Sequence, residues 1–110
     1  MAKRFVRARP KTARVRELYD RLDSGEIASM EPFGNAITKA LMKARFDPDT
    51  GEAVWIEEDY CTPPLAMERE AVLDDYFEEL TIVREDADEP TAWGQIEHFP
   101  RLFDHVLESR

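Results

Sequence analysis

Val15, Leu18, Tyr19 and Leu22 recur at the i, i+3, i+4, i+7 spacing of one helix face, and Arg14, Arg16, Glu17, Asp20 and Arg21 fill the other positions. The spacing predicts a helix over 11–22. Asp23-Ser24-Gly25 is its stop, with Gly25 placed to take the left-handed conformation that ends helices. Residues 26–32 read as a connection or a short edge strand. The stretch 33–46 carries two patterns at once. Phe33, Ala36, Ile37, Ala40, Leu41 and Ala44 share a helical face, while Thr38, Ala40, Met42, Ala44 and Phe46 alternate as a strand does. The segment that follows decides between them. In Asp47-Pro48-Asp49-Thr50-Gly51 the proline presets one turn angle and the glycine takes a positive one, and 52–60 is rich in β-branched and aromatic residues. Such a turn wants a strand on both sides, so 36–46 and 52–60 are expected to form a hairpin.

Cys61-Thr62-Pro63-Pro64 ends the second strand, because two prolines cannot continue a ladder; Thr62 is a candidate helix cap. Leu65, Val72, Leu73, Tyr76 and Phe77 then form one apolar stripe, with Glu68, Arg69, Glu70, Asp74, Asp75, Glu78 and Glu79 expected to face water. Residues 80–84 favour a third strand, and 85–90 reads as an acidic loop. Phe99, Leu102, Phe103, Val106 and Leu107 predict a last helix over 98–108, with Pro100 in its first turn. The pattern is that of an α+β fold: a small antiparallel sheet, hairpin 36–60 plus strand 80–84, with about three helices packed on it. Three strands leave exposed edges, and pairing of two copies into a homodimer is the expected way of covering them.

Length and composition agree with this reading. The 110 residues are 43% hydrophobic, enough for one modest core. Charge changes the picture more. Residues 1–16 hold seven bases and no acid, whereas the other 94 hold 8 bases and 24 acids. The expected organisation is therefore a basic N-terminal arm over 1–10, closed by Pro10, on a single acidic α+β domain over 11–110. The bases are four Lys against eleven Arg. An acid-rich, Lys-poor composition of this kind resembles the proteins of extremely halophilic archaea. That resemblance implies carboxylates that keep a chain hydrated where salt screens charge to a few ångströms, and it implies no activity.

The single cysteine, Cys61, excludes an intrachain disulfide and a multi-cysteine zinc site, and a reducing, cytoplasmic setting follows most simply. No apolar run approaches the roughly 20 residues of a membrane span, and no apolar segment behind the first bases reads as a secretory signal. Asp47-x-Asp49-x-Gly51 superficially resembles a calcium loop, but its glycine stands one place early and a proline sits inside it. On a strand Glu57, Asp59 and Cys61 share one face and Glu58 and Tyr60 the other. Carboxylates beside Cys61 raise its pKa and disfavour a nucleophile. His98 and His105 stand seven residues apart, too far along one helix to share a metal. Trp93, beside Gly94 after a loop, marks a binding surface if exposed.

No glycine-rich phosphate loop and no nucleophile elbow occurs. The residues thus point to a non-enzymatic binding or self-associating domain with no cofactor or metal. One alternative docks Lys3, Arg4, Arg7, Arg9, Lys11, Arg14 and Arg16 on RNA or DNA phosphates, with Phe5 stacking on a base. Another places a ligand or enzymatic pocket at Trp55, Tyr60 and Cys61.

Overall fold

A computed structural model describes residues 2–108. Strand β1 (Ala2–Pro10) leads through a 3-10 turn at Thr12–Arg14 into helix α1 (Val15–Asp23). Turns over 26–33 connect it to α2 (Gly34–Met42). Strands β2 (Arg45–Asp47) and β3 (Glu52–Asp59) follow. Helix α3 opens at Ala66–Glu68, widens into a π-helical stretch at Arg69–Leu73 and closes at Asp74–Tyr76, directly before β4 (Phe77–Arg84). Helices α4 (Glu89–Ile96) and α5 (Leu102–Glu108) complete the chain. The four strands form one antiparallel sheet in the order β2-β3-β1-β4.

The α+β class and the antiparallel sheet with helices match the sequence reading; several of its elements do not. The basic segment 1–10, expected as an arm, supplies the inner strand β1, paired with β3 on one side and β4 on the other. Its alternation explains why. Val6 and Ala8 point into the main core and Phe5 into a second core on the opposite face. The intervening bases meet acids on neighbouring strands, and Pro10 stands at the strand's end, where a missing N–H costs least. Burial of Val6 and Phe5 alone contributes roughly 1.5–3 kcal/mol apiece, more than surface repulsion among the bases withdraws.

The hairpin's first arm is also corrected. Residues 34–42 are helix α2, with Ile37, Ala40 and Leu41 buried, and only Arg45–Asp47 pairs as a strand. The Asp47–Gly51 turn does join two strands, with Gly51 at φ 74°, but a turn needs only a residue or two of ladder on each side. The helical face of 33–44 therefore wins. Beyond the turn, β4 begins at Phe77 rather than at residue 80. The acidic loop ends early because Asp88 caps α4, accepting Thr91 N–H at 3.2 Å, and Pro90 fits its first turn. The last helix starts at Leu102, and Pro100 precedes it, its carbonyl accepting Phe46 N–H at 2.8 Å.

Two cores sandwich the sheet. On one face α1, α2, α3 and α5 bury Leu18, Ile37, Leu73 and Leu102 around Trp55. On the other, α4 covers Phe5, Val54 and Ile56 with Ala92 and Ile96. β2 pairs only with residues 52–54 of β3, so the outer edge of β3 beyond Val54 has no strand beside it, and α2 packs there instead. β4's outer edge is unpaired among the described residues, and Val83 on it is 48% exposed. No helix is long and apolar enough to cross a membrane among the described residues.

Candidate functional site

The seven bases of the N-terminal segment are spoken for within the chain. Lys3 meets Glu58 at 2.9 Å and Glu89 at 3.5 Å, Arg4 meets Asp59 at 3.0 Å, and Arg7 meets Asp47 and Glu52 at 3.0 and 3.1 Å. Arg9 faces Glu79, and Arg14 faces Glu17. Lys11 donates to the Asp74 carbonyl, and Arg16 stands 3.9 Å from Asp20. Phe5 is buried under α4 and presents no face for stacking. Two places remain whose chemistry the fold does not use up.

The first is a groove of about 390 Å³ where α2 and α4 flank the strandless edge of β3. That volume lies within the range of small-molecule sites. Helix α2 contributes Asn35 and Lys39, and Lys43 follows at its C-terminal cap, the three spaced four residues apart and so stacked along one face. Ile56 lies in its floor, and Lys3, Glu58 and Glu89 form the facing wall. On that wall the charges are matched: the Glu58 carboxylate raises the pKa of Lys3, and Lys3 in return lowers that of Glu58. On the α2 wall they are not. Lys39 and Lys43 have no carboxylate partner among the described residues, in a chain with 24 acids. Lys43 Nζ sits 4.7 Å from the centroid of the half-buried Trp93 ring, a cation–π pair that holds the ammonium over the groove. The five charged groups lining the groove sum to +1, against −9 for the whole chain.

The second is a buried cluster of carboxyls at the end of the main core. Alternation along β3 sends Trp55, Glu57 and Asp59 inward, and Arg4 lies across from Glu57 on β1. Asp59 holds the loop that follows. It accepts Cys61 N–H at 3.1 Å, Leu65 N–H at 2.8 Å and Arg4 Nε–H at 3.0 Å. Leu65 is fully buried at φ 61°, a left-handed conformation that an L residue keeps only when pinned. Arg4 also donates to the carbonyls of Glu85 and Cys61. Burial alone pushes the Asp59 pKa up, but the two amides and the guanidinium outweigh it and hold the carboxyl below its ordinary value.

Glu68 enters this cluster from α3 and is 1% exposed, although the apolar stripe of that helix placed it on the water side. Its Oε1 lies 3.8 Å from Cys61 Sγ. Glu57, also 1% exposed, accepts Trp55 Nε1–H at 3.1 Å through one oxygen. Burial and the neighbouring Glu68 carboxyl push its pKa well up, and burial raises that of Glu68. The Cys61 thiol is drawn down by the Met67 backbone, but burial and the Asp59 and Glu68 carboxyls leave it raised.

Of the pocket residues read from the sequence, Trp55 and Cys61 thus flank one cluster, linked through Glu57 and Glu68. Tyr60 does not join them. It is 72% exposed, its hydroxyl donating to Glu58 at 3.3 Å. His105 stacks on Phe46 with ring centroids 4.4 Å apart, and the exposed His98 lies against Phe99. Of the groove, the sequence signalled Trp93 and, among the bases expected to meet phosphates, Lys3; the 35-39-43 spacing on a helix was the further clue, hidden by the strand reading of 36–46. No protein-family model, curated protein or solved structure matches the chain.

Proposed function

We propose that this chain is a non-enzymatic binding domain whose ligand is a small organic anion with a planar ring, seated in the groove between α2 and α4. The observation that carries the reading is the pair Lys39 and Lys43, left without carboxylate partners on one wall while Lys3 is doubly paired on the other. A phosphate or carboxylate fits the unmatched wall, where each ammonium contributes roughly 0.5–1 kcal/mol at this exposure. Trp93 and Ile56 offer the apolar contact that a ring needs, and stacking adds about 1–3 kcal/mol. The sum, about 2–5 kcal/mol, is the affinity of a weak, exchangeable ligand, from a few hundred micromolar to tens of millimolar.

NMR titration with adenosine monophosphate tests it, with inorganic phosphate as a parallel arm. The expected result is shifts confined to Lys39, Lys43, Ile56 and the Trp93 indole, with the nucleotide binding tighter than phosphate. The double variant Lys39→Ala/Lys43→Ala should weaken binding at least tenfold and leave the fold intact, since both side chains are exposed. Shifts scattered over the surface, or an affinity that the double variant leaves unchanged, would sink the proposal.

A further inference from the structure

Glu57 Oε2 is a fully buried polar atom with no hydrogen-bond partner. The Glu57 and Glu68 carboxyls abut each other in the core, and two ionised carboxylates have no donor to offer one another. Something must stand between them, either a proton or a cation. A shared proton satisfies that one contact but does not account for the Cys61 sulfur set against Glu68. The cluster's further features are those of a cation seat. Asp59, Cys61 and Glu68 each offer one ligand atom, and the three atoms lie within 4.8 Å of one another. A tetrahedral ion with bonds of about 2.3 Å to sulfur and 2.1 Å to oxygen sets those two ligands about 3.6 Å apart. The observed Cys61 Sγ to Glu68 Oε1 distance is 3.8 Å, long for a thiol hydrogen bond and close to that separation.

We propose that Asp59, Cys61 and Glu68, with the Glu57 carboxyl set against Glu68, form a binding site for a divalent transition cation of the zinc class. The donor set, two carboxylates and one sulfur, selects the ion. Sulfur is a poor ligand for magnesium and calcium, which also require six or more oxygens, while zinc takes mixed sulfur and oxygen ligands and, with three from the protein, a water in the fourth position. Charge agrees. Arg4 offsets Asp59, so Glu68 and the Cys61 thiolate supply the two negative charges that a divalent ion neutralises. The supporting shell is also present: Trp55 holds Glu57, and Arg4 with the Leu65 amide fixes Asp59. Cys61, the least buried of the three, marks the way in. On binding, its thiol loses its proton to solvent and the sulfur coordinates as thiolate. The site lies on the opposite face of β3 from the lysine groove and does not depend on it.

The test uses the full chain, stripped with a chelator and titrated with Zn²⁺ under native mass spectrometry, and with Co²⁺ under absorption spectroscopy. The expected outcome is one tightly held ion per chain, a higher melting temperature, and a thiolate-to-cobalt charge-transfer band. Cys61→Ser should abolish the band, and Glu68→Gln should weaken Zn²⁺ binding at least tenfold, both variants being near-isosteric and checked for fold by circular dichroism. A His98→Gln/His105→Gln variant should bind unchanged. Failure to take up either ion, binding lost with the histidines, or binding indifferent to Cys61→Ser and Glu68→Gln would each overturn the proposal and leave a shared proton only.

Discussion

Gly34 opens α2 against the turn that precedes it. A Cβ built there would stand 2.6 Å from the Ala28 carbonyl oxygen and nearer still to that of Ile27. Both are backbone atoms of a packed turn and cannot swing aside as a flexible side chain would. Gly34→Ala should therefore cost about 2 kcal/mol or more despite alanine's better helix propensity, seen as a lower urea midpoint at unchanged slope. A midpoint equal to that of the parent chain would refute the clash. At this scale the sequence was legible where neighbours along the chain decide the environment. Strand alternation put Glu57 and Asp59 on one inward face, and the structure keeps them there; Cys61, expected with them, lies past the end of β3, where its sulfur meets Glu68. Glu68 was not legible. On a helical wheel it belongs with the water-facing acids, and only the approach of β3 from a different part of the chain buries it.

Among the elements, β1 is the one whose removal discriminates most sharply between an arm and a strand. It contributes apolar residues to both cores and pairs on both edges. Deleting residues 2–10 should abolish cooperative unfolding and amide dispersion in NMR, because β3 and β4 would lose their common partner. A truncated chain that still melts cooperatively would show the segment to be dispensable. The apolar stripes of α1 and α3 were legible because each helix buries one face, the condition under which periodicity reports structure. Segment 36–46 was misread because it satisfies both periods, and a turn signal says only that strands meet there, not how far they extend. α4 was missed because its buried face is short, with Ala92 and Ile96 as its buried residues, and lies under an acid-rich start.

For the whole molecule, the sign asymmetry read from the sequence survives as a number and changes in meaning. Lys3, Arg4, Arg7 and Arg9 lie on an inner strand of an acidic body and act as counterions placed from within, paired with acids on β2, β3 and β4. The chain as a whole carries a net charge of −9 over its 110 residues. Its self-repulsion is screened by salt over roughly 10 Å at 0.1 M and 3 Å at 1 M, whereas the half-buried pairs of Arg4 and Arg7 are screened much less. Raising KCl across that range should therefore raise the melting temperature by several degrees. A temperature that falls with salt would mean that the ion pairs outweigh the repulsion.

The inner position of the first strand also sets an order of events during synthesis. β1 leaves the ribosome before the strands it pairs with: its partners Trp55 on β3 and Ile82 on β4 are translated much later. Until β4 emerges the sheet cannot be completed, so Val6, Phe5 and Ala8 wait with their apolar surface unshielded. The bases interleaved with them then have a second use. They keep a strand that is hydrophobic on alternate sides hydrated and mutually repelling between chains for as long as it has nothing to pair with.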